Sequence, residues 1–190
     1  MAHAPILITA YNRPVHFKQC IESLQANHAA PHSPLFIAVD APKREADIGP
    51  NQAILNYAKQ VEGFKEVNVI VRPENLGPRQ NGQQARQEIF SKYNTIIFSE
   101  EDNVFAPNAL GYINSGLELY QQREDIFAVS AYSHPIAIPP GYNFDVYMLQ
   151  AFSAWGYGTW KEKYNSVVFD LDELSDFVKK PANRRTLNKT

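Results

Sequence analysis

The chain has 190 residues, of which 44% are hydrophobic and 12% aromatic, and its 18 basic and 20 acidic residues give a formal net charge of −2. This length fits one domain with a sizeable core, and the near balance of charge argues against a general nucleic-acid-binding surface. The single cysteine, Cys20, excludes an internal disulfide and lies on the apolar face of a predicted helix, which favours packing over a nucleophilic role.

The N-terminus has neither the basic region nor the long apolar stretch of a secretory signal. No apolar run approaches the roughly 20 residues that a membrane span requires. The sequence therefore predicts a cytoplasmic protein without a transmembrane segment, and it leaves open whether the protein attaches peripherally to a membrane.

Apolar runs of strand length alternate with segments of helical period through residue 130. The predicted strands cover residues 6–10, 35–39, 67–71, 95–98 and 126–130. Helices are predicted after Pro14, from Ile54 to Val61 behind a charged loop at 43–50, over 82–92, from Pro107 to Tyr120 and, last, over 171–180. This alternation predicts an α/β domain in which helices sandwich a mostly parallel sheet.

Polar or charged residues follow the predicted strands. In a parallel sheet the carboxyl ends of the strands share one edge, and ligands bind outside that edge. The residues that this edge would collect are Tyr11 to Arg13, Asp40, Arg72 and Glu100 to Asp102. We therefore expect them to lie within reach of one ligand, although they are far apart in the sequence.

Three consecutive carboxylates, Glu100, Glu101 and Asp102, follow the fourth strand. Such a run is tolerable in bulk solvent or beside a cation, so two interpretations remain: a solvated acidic loop, or a site for Mg²⁺ or Mn²⁺, which prefer hard oxygen ligands. If the chain stays extended here, Glu100 and Asp102 share one side and Glu101 takes the other.

The regular alternation ends after residue 131. Residues 132–147 are rich in proline and aromatic residues, and 152–160 place four aromatic side chains and two glycines in nine positions. Aromatic rings in this density form the wall of a sugar site or a core patch with tight turns, and the sequence favours neither.

Several classes of site are excluded by missing motifs. The dinucleotide-binding G-x-G-x-x-G, the P-loop, the H-E-x-x-H zinc motif and the G-x-S-x-G elbow are absent. The scattered histidines are predicted to be surface or structural residues: His3, His16, His28, His32 and His134. Acids at strand ends and an aromatic floor remain, and these fit a nucleotide-sugar site in which a carboxylate-bound metal holds a diphosphate.

Three segments resemble GT-A fold glycosyltransferases in their order and spacing. Residues 5–14 resemble the opening strand and turn of that fold. Residues 99–107 resemble its D-x-D-type metal motif, in the E-D-D…A-P form of N-acetylglucosaminyltransferase I, and 126–132 resemble the strand that follows. The match runs over about residues 4–134.

The resemblance implies a metal-dependent, inverting transfer of a hexosyl or N-acetylhexosaminyl group from a nucleotide sugar, such as a UDP-sugar, to a saccharide or other hydroxyl acceptor. It implies a nucleotide-sugar-binding domain over 1–134 and the start of an acceptor-side segment over 135–190, within the same domain. Enzymes of this kind run well past 190 residues, so we interpret the chain as a catalytic fragment or as a reduced enzyme.

The resemblance also implies roles for individual residues. Tyr11 and Arg13 would contact the nucleotide sugar, Arg13 at the diphosphate or base, and Asp40 would accept a hydrogen bond from uracil. Asn81 stands where the family has a uracil-contacting histidine, and Glu101 would hold ribose or sugar hydroxyls.

On the same basis, Asp102 would bind Mn²⁺ or Mg²⁺ and Glu100 would support its loop. The resemblance also implies that the catalytic base follows the aromatic segment. The acids available there are Asp170, Asp172 and Glu173, with Glu162 as a further possibility, and Asp170 is the candidate that we choose. The expected stacking residues for sugar or acceptor are Trp155, Tyr157 and Trp160.

Two alternatives remain. A sugar-phosphate nucleotidyltransferase shares the layered sheet, although the glycine-rich loop usual after its first strand is missing here. A non-catalytic carbohydrate- or nucleotide-binding module could have the same fold. No nucleic-acid partner is expected, and the sequence does not indicate an oligomeric state.

Overall fold

The computed structural model of the chain describes residues 3–150, 153–167, 171–181 and 183. The candidate base Asp170 lies outside the described residues. Within the described ranges, no helix combines the length and apolar character needed to cross a bilayer.

Six strands in the described ranges form one sheet. They are β1 (Ile6–Ala10), β2 (Pro34–Val39), β3 (Glu66–Val71), β4 (Thr95–Glu100), β5 (Ala128–Ser130) and β6 (Tyr157–Trp160). Their spatial order is β3-β2-β1-β4-β6-β5. The first four strands are parallel to one another, whereas β6 runs antiparallel to both β4 and β5.

Helices cover both faces of this sheet. They are α1 (Pro14–Gln25), α2 (Glu45–Ala58), α3 (Gly77–Phe90), α4 (Ala109–Leu119), α5 (Lys161–Asn165) and α6 (Leu171–Lys179). Buried side chains of α1, α2 and α4 share one apolar cluster, while those of α3 and α5 share the other. The predicted α/β class, with a mostly parallel sheet between helices, is confirmed.

The central strands β1 and β2 consist of apolar residues apart from Thr9, and every position in them is buried. Side chains of a strand alternate between the two faces of the sheet, so a strand covered on both faces must be apolar throughout. In β1, Ile6 and Ile8 pack in one cluster and Leu7 in the other. This pattern is why the sequence identified these strands correctly.

The aromatic segment contributes a strand, which the sequence did not predict. Residues of β6 pair with β4, with Phe98 opposite Tyr157 and Thr95 opposite Trp160. Both aromatic residues are buried, Tyr157 at 3% and Trp160 at 5% exposure. The expectation that these two rings stack on a sugar is therefore corrected: their burial completes the core beside β4 and leaves no ring face for a ligand.

The predicted loop over 43–50 is also wrong, because α2 begins at Glu45 and continues through Pro50. Charged residues and a Gly-Pro pair indicate a loop locally. The tertiary structure overrides that signal, since the carboxylate of Asp47 anchors the first turn of α2 to the end of β1. In the same way, α3 begins at Gly77 rather than at residue 82, and β5 begins at Ala128 rather than at 126.

Candidate functional site

The carboxyl ends of the parallel strands bring the predicted polar residues to one edge of the sheet. Thr9 of β1 lies opposite Glu100 of β4, and Ala10 lies opposite Val39 of β2. The residues that follow these strands therefore share an edge, although Arg13 and Asp102, for example, are 89 positions apart in the sequence.

Arg13 joins the end of β1 to the acidic turn after β4. Its Nε donates to Oε1 of Glu101, and its Nη1 donates to Oδ2 of Asp102, each with a donor–acceptor distance of 2.8 Å. Glu101 is buried, whereas Asp102 is exposed to solvent. Because β4 ends at Glu100 and the chain turns there, Glu101 and Asp102 reach the same guanidinium, and the side alternation expected for an extended chain does not hold.

The electrostatics of this turn show an excess of negative charge. Incomplete solvation and the carboxylates of Asp102 and Glu101 raise the pKa of Glu100, against the opposing influence of Arg13 and Arg86. Partial burial lowers the pKa of Arg13, but hydrogen bonds and the negative charges of Glu101 and Asp102 raise it, and the net shift is upward. The guanidinium therefore stays protonated and offsets one of the three carboxylates.

Cys20 lies behind the acidic turn. Its Sγ is 3.8 Å from the carbonyl oxygen of Glu100. Burial, reinforced by the charges of Glu101 and Asp102, raises the pKa of the Cys20 thiol to about 12. The packing role predicted for this residue fits that position, because a neutral thiol is a poor nucleophile.

Asp40 follows β2 at the same edge, but its environment is different. Its Oδ1 accepts from the N–H groups of Ala41 (3.0 Å) and Leu76 (2.9 Å), and its Oδ2 accepts from the N–H of Gly77 (2.8 Å) and from Nδ2 of Asn75 (3.2 Å). The side chain thus holds the loop that starts α3. Gly77 has a φ of 78°, a conformation that glycine adopts without strain. The structure leaves Asp40 no free oxygen for a uracil ring.

Asn81 is also occupied within the protein. It is 1% exposed, its Nδ2 donates to the carbonyl of Ala38 (3.1 Å), and its Oδ1 accepts from Nε of Arg72 (2.9 Å). Arg72 in turn bonds Glu88. This network ties α3 to the ends of β2 and β3, so the structure places Asn81 in the scaffold beneath the edge.

Tyr11 is bound to a residue that sequence reasoning missed, Asp47. The Tyr11 hydroxyl donates to Oδ2 of Asp47, and Nδ2 of Asn12 donates to Oδ1 of the same residue, each with a donor–acceptor distance of 2.7 Å. Arg44 pairs with the same carboxylate. Hydrogen bonds from Arg44, Tyr11 and Asn12 hold the pKa of Asp47 well below its usual range.

Asn51 is a second residue that sequence reasoning missed. Its Nδ2 donates to the backbone carbonyls of Tyr11 and Asp40, at 2.7 and 2.8 Å, and so joins the ends of β1 and β2. For Asp47 the structure shows half of a capping box, because its side chain accepts from the backbone N–H of Arg44 three residues earlier, but Arg44 is not a residue type that marks a helix start in a sequence.

Of the expected stacking residues, Trp155 is 57% exposed. Its ring centroid is 4.6 Å from that of Tyr132, with the planes nearly perpendicular. The next residue, Gly156, packs against the ring of Phe105, three residues after Asp102. An aromatic pair with an exposed Trp155 and a half-buried Tyr132 thus adjoins the segment that leaves the acidic turn.

A metal at this edge would depend on few protein ligands. Among the described residues, no three His, Cys, Asp or Glu side chains converge in a way that could hold a metal ion. Asp102 offers an exposed carboxylate that already binds a cationic group, the Arg13 guanidinium. Its hard oxygens fit Mn²⁺ or Mg²⁺, with the remaining ligand positions left to water and to a bound phosphate.

Comparison with known proteins identifies the fold. No protein-family model and no curated protein matches the sequence. A solved mannosyltransferase from Pyrobaculum calidifontis, in complex with GDP-Man and Mn²⁺, matches with a TM-score of 0.53 and 12% identity over 70% of this chain and 36% of that one. TarS from S. aureus matches with a TM-score of 0.49 and 12% identity over 63% of this chain and 20% of that one.

The chain thus spans about a third of the length of the mannosyltransferase, 36%. At 12% identity the likeness concerns the fold. The chain has the mixed α/β fold of GT-A-type glycosyltransferases.

Proposed function

We propose that this chain forms the donor-binding part of a metal-dependent, inverting glycosyltransferase, which moves a sugar from a nucleotide sugar to a hydroxyl acceptor. The observation that carries the proposal is the Arg13–Glu101–Asp102 cluster at the carboxyl edge of the sheet. The fold is that of an enzyme solved with GDP-Man and Mn²⁺, which supports the same class of donor and metal here.

Each residue of the cluster has a distinct proposed role. Asp102, which is exposed, would hold Mn²⁺ or Mg²⁺; when bound, this ion would neutralise charge that builds on the departing nucleoside diphosphate. Arg13 is 44% exposed in its side chain, and its guanidinium would donate to a diphosphate oxygen. Glu101 is buried and keeps Arg13 oriented while Glu100 supports the turn.

We propose no particular nucleobase for the donor nucleotide. The resemblance implied uracil through a hydrogen bond to Asp40, and it placed Asn81 where the family has a uracil-contacting histidine. Both side chains are bonded within the protein. Tyr11 remains half-buried at the same edge. We therefore propose a nucleoside diphosphate sugar as the donor class and test UDP and GDP side by side.

The acceptor side is proposed to lie in residues 135–190, with donor binding in 1–134. Trp155 offers the exposed ring on which a saccharide could stack. An inverting attack needs a carboxylate base within hydrogen-bond reach of the acceptor hydroxyl, and Asp170 is the candidate.

Calorimetric titration of the chain with UDP and with GDP, in the presence and absence of Mn²⁺, tests the proposal. We expect binding that requires the metal and is weakened at least tenfold by Asp102→Asn, because an amide oxygen carries no charge for a divalent ion. The matched control is Asp125→Asn, which removes a carboxylate that also pairs with an arginine, Arg123, away from this edge. Metal-independent binding, or equal loss in both variants, would contradict the metal assignment.

Product analysis separates the proposal from its alternatives. A glycosyltransferase releases a nucleoside diphosphate from a nucleotide sugar in the presence of Mn²⁺. A nucleotidyltransferase instead releases pyrophosphate from a nucleoside triphosphate and a sugar phosphate. A non-catalytic module binds the nucleotide sugar and releases neither product.

A further inference from the structure

A second arginine, Arg86, lies beneath the acidic turn on the opposite face of β4 from Arg13. The helix α3 packs over the end of β1, where Thr9 lies opposite Glu100 in the sheet register. Gly82 of α3 lies beside both Thr9 and Arg86. A methyl group at this glycine would lie 3.8 Å from Cγ2 of Thr9 and 3.1 Å from Nη1 of Arg86. The Arg86 guanidinium is therefore level with the last residue pair of β1 and β4, immediately below the edge.

The packing around Arg86 holds its side chain in place. Its Cζ lies 3.5 Å from the ring centroid of Phe98 and 5.4 Å from that of Tyr164. It also hydrogen-bonds the side chain of Tyr157. An arginine stacked on aromatic rings is ordered before a ligand arrives, so little conformational entropy is lost when the charge is used.

The charge of Arg86 is not consumed by an ion pair within the part of the chain that the structure describes. Arg13 pairs with Glu101 and Asp102, and Arg72 pairs with Glu88, whereas no described carboxylate forms a salt bridge with Arg86. Its buried Nε has no hydrogen-bond partner among the described residues.

The acidic residue that β4 directs to the same face of the sheet as Arg86 is Glu100. Phe98 and Glu100 are two positions apart on β4, and the side chains of such residues leave a strand on the same face. Phe98 belongs to the cluster on the α3 face, beneath Arg86. Glu100 therefore leaves β4 toward Arg86, while the turn directs Glu101 and Asp102 toward Arg13.

We propose that Arg86 is a positioning residue of the donor site, a fixed cation that orients Glu100 and offsets its charge from the α3 face of β4. The inference rests on the proposed function. It predicts that the end of β4 stays between two arginines, so that a diphosphate approaching Asp102 meets less negative charge than three acids alone would present.

The test compares Arg86→Met with Arg86→Lys in calorimetric titrations with UDP and GDP in the presence of Mn²⁺. Methionine keeps an unbranched stem over Phe98 and removes the charge, whereas lysine keeps the charge. We expect Arg86→Met to weaken binding about tenfold, a size typical of one partly desolvated charge interaction, and Arg86→Lys to restore most of it. The control is Arg123→Met, which removes an exposed arginine from the Asp125 pair and should leave binding unchanged.

A double-mutant cycle with Glu100→Gln tests whether Arg86 acts through Glu100. We expect the double variant to bind no more weakly than whichever single variant binds less tightly, because both changes remove the same interaction between Arg86 and Glu100. Additive losses would overturn the inference, and so would wild-type binding by Arg86→Met or equal loss in the lysine and methionine variants. Wild-type protein that binds neither nucleotide would overturn the proposed function, and this inference with it.

Discussion

Asp40 and Asp102 both follow a strand at the same edge of the sheet, yet they are held in opposite ways. Asp40 is 3% exposed and accepts four hydrogen bonds, three of them from backbone N–H groups. The Asp102 side chain is 35% exposed and is held by one side chain, that of Arg13. A carboxylate saturated by backbone donors belongs to the scaffold, whereas one held by a single, partly exposed arginine can exchange its partner for a ligand.

The largest effect is expected from Asp40→Asn. The new side chain keeps one acceptor oxygen, so its NH₂ group would face the backbone donors on one side only, either the N–H groups of Ala41 and Leu76 or that of Gly77, and would leave them unsatisfied. Loss of charged hydrogen bonds at a buried position should lower the free energy of unfolding by about 3 kcal/mol. Urea denaturation measures this change, and a loss below about 1 kcal/mol would contradict the scaffold role assigned to Asp40.

The next effect concerns Asp47, the buried carboxylate that anchors α2. Because Arg44, Tyr11 and Asn12 depress its pKa in the folded protein, its contribution to stability is complete above the pKa of the unfolded chain, near 3.8, and is lost as the pH falls below it. Asp47→Asn should therefore lower the melting temperature at neutral pH and flatten its decline in acid. Melting curves recorded from neutral pH into this acid range measure the effect. The control is Asp176→Asn, which removes an exposed carboxylate and should leave the decline in acid unchanged.

A smaller effect on stability is expected from Asp102→Asn. An exposed ion pair contributes about 0–1 kcal/mol, so the free energy of unfolding should change by no more than about 1 kcal/mol, while metal-dependent nucleotide binding weakens at least tenfold. Urea denaturation beside the Asp40 variant gives the direct contrast. A destabilisation as large as that of Asp40→Asn would place Asp102 in the scaffold too.

The smallest effect of Asp102→Asn is expected at Cys20. Burial is the leading cause that raises its pKa to about 12, and the charges of Glu101 and Asp102 come after it. Native protein should therefore react with iodoacetamide at least on the order of a hundredfold more slowly than protein in urea, and Asp102→Asn should change the native rate little.

The same thiol predicts how stability depends on pH. Because the pKa of Cys20 is higher in the folded state than in the unfolded chain, the free energy of unfolding should fall as the pH rises from about 9 toward 12.

The comparison of Asp40 with Asp102 also shows where sequence reasoning reached its limit. Both residues are acids at the end of an apolar strand, Asp40 directly after β2 and Asp102 as the last of the three acids at the end of β4. Their roles differ because the loop at Asn75 to Gly77 folds onto Asp40, and the strand pattern does not encode that contact. The aromatic residues show the same limit, since pairing with β4 buries Tyr157 and Trp160, while Trp155 stays exposed.

By itself the sequence determined the strands over 6–10 and 35–39, the α/β class and the edge at which the polar residues gather. These follow from local patterns, because a strand buried on both faces must be apolar and parallel strands end at one edge. Only the tertiary structure decided that β6 enters the sheet, that α2 starts at Glu45 and that Asp40 is saturated while Asp102 is not. Each of these depends on contacts between distant residues, whose free energy outweighs the local preference of the segment.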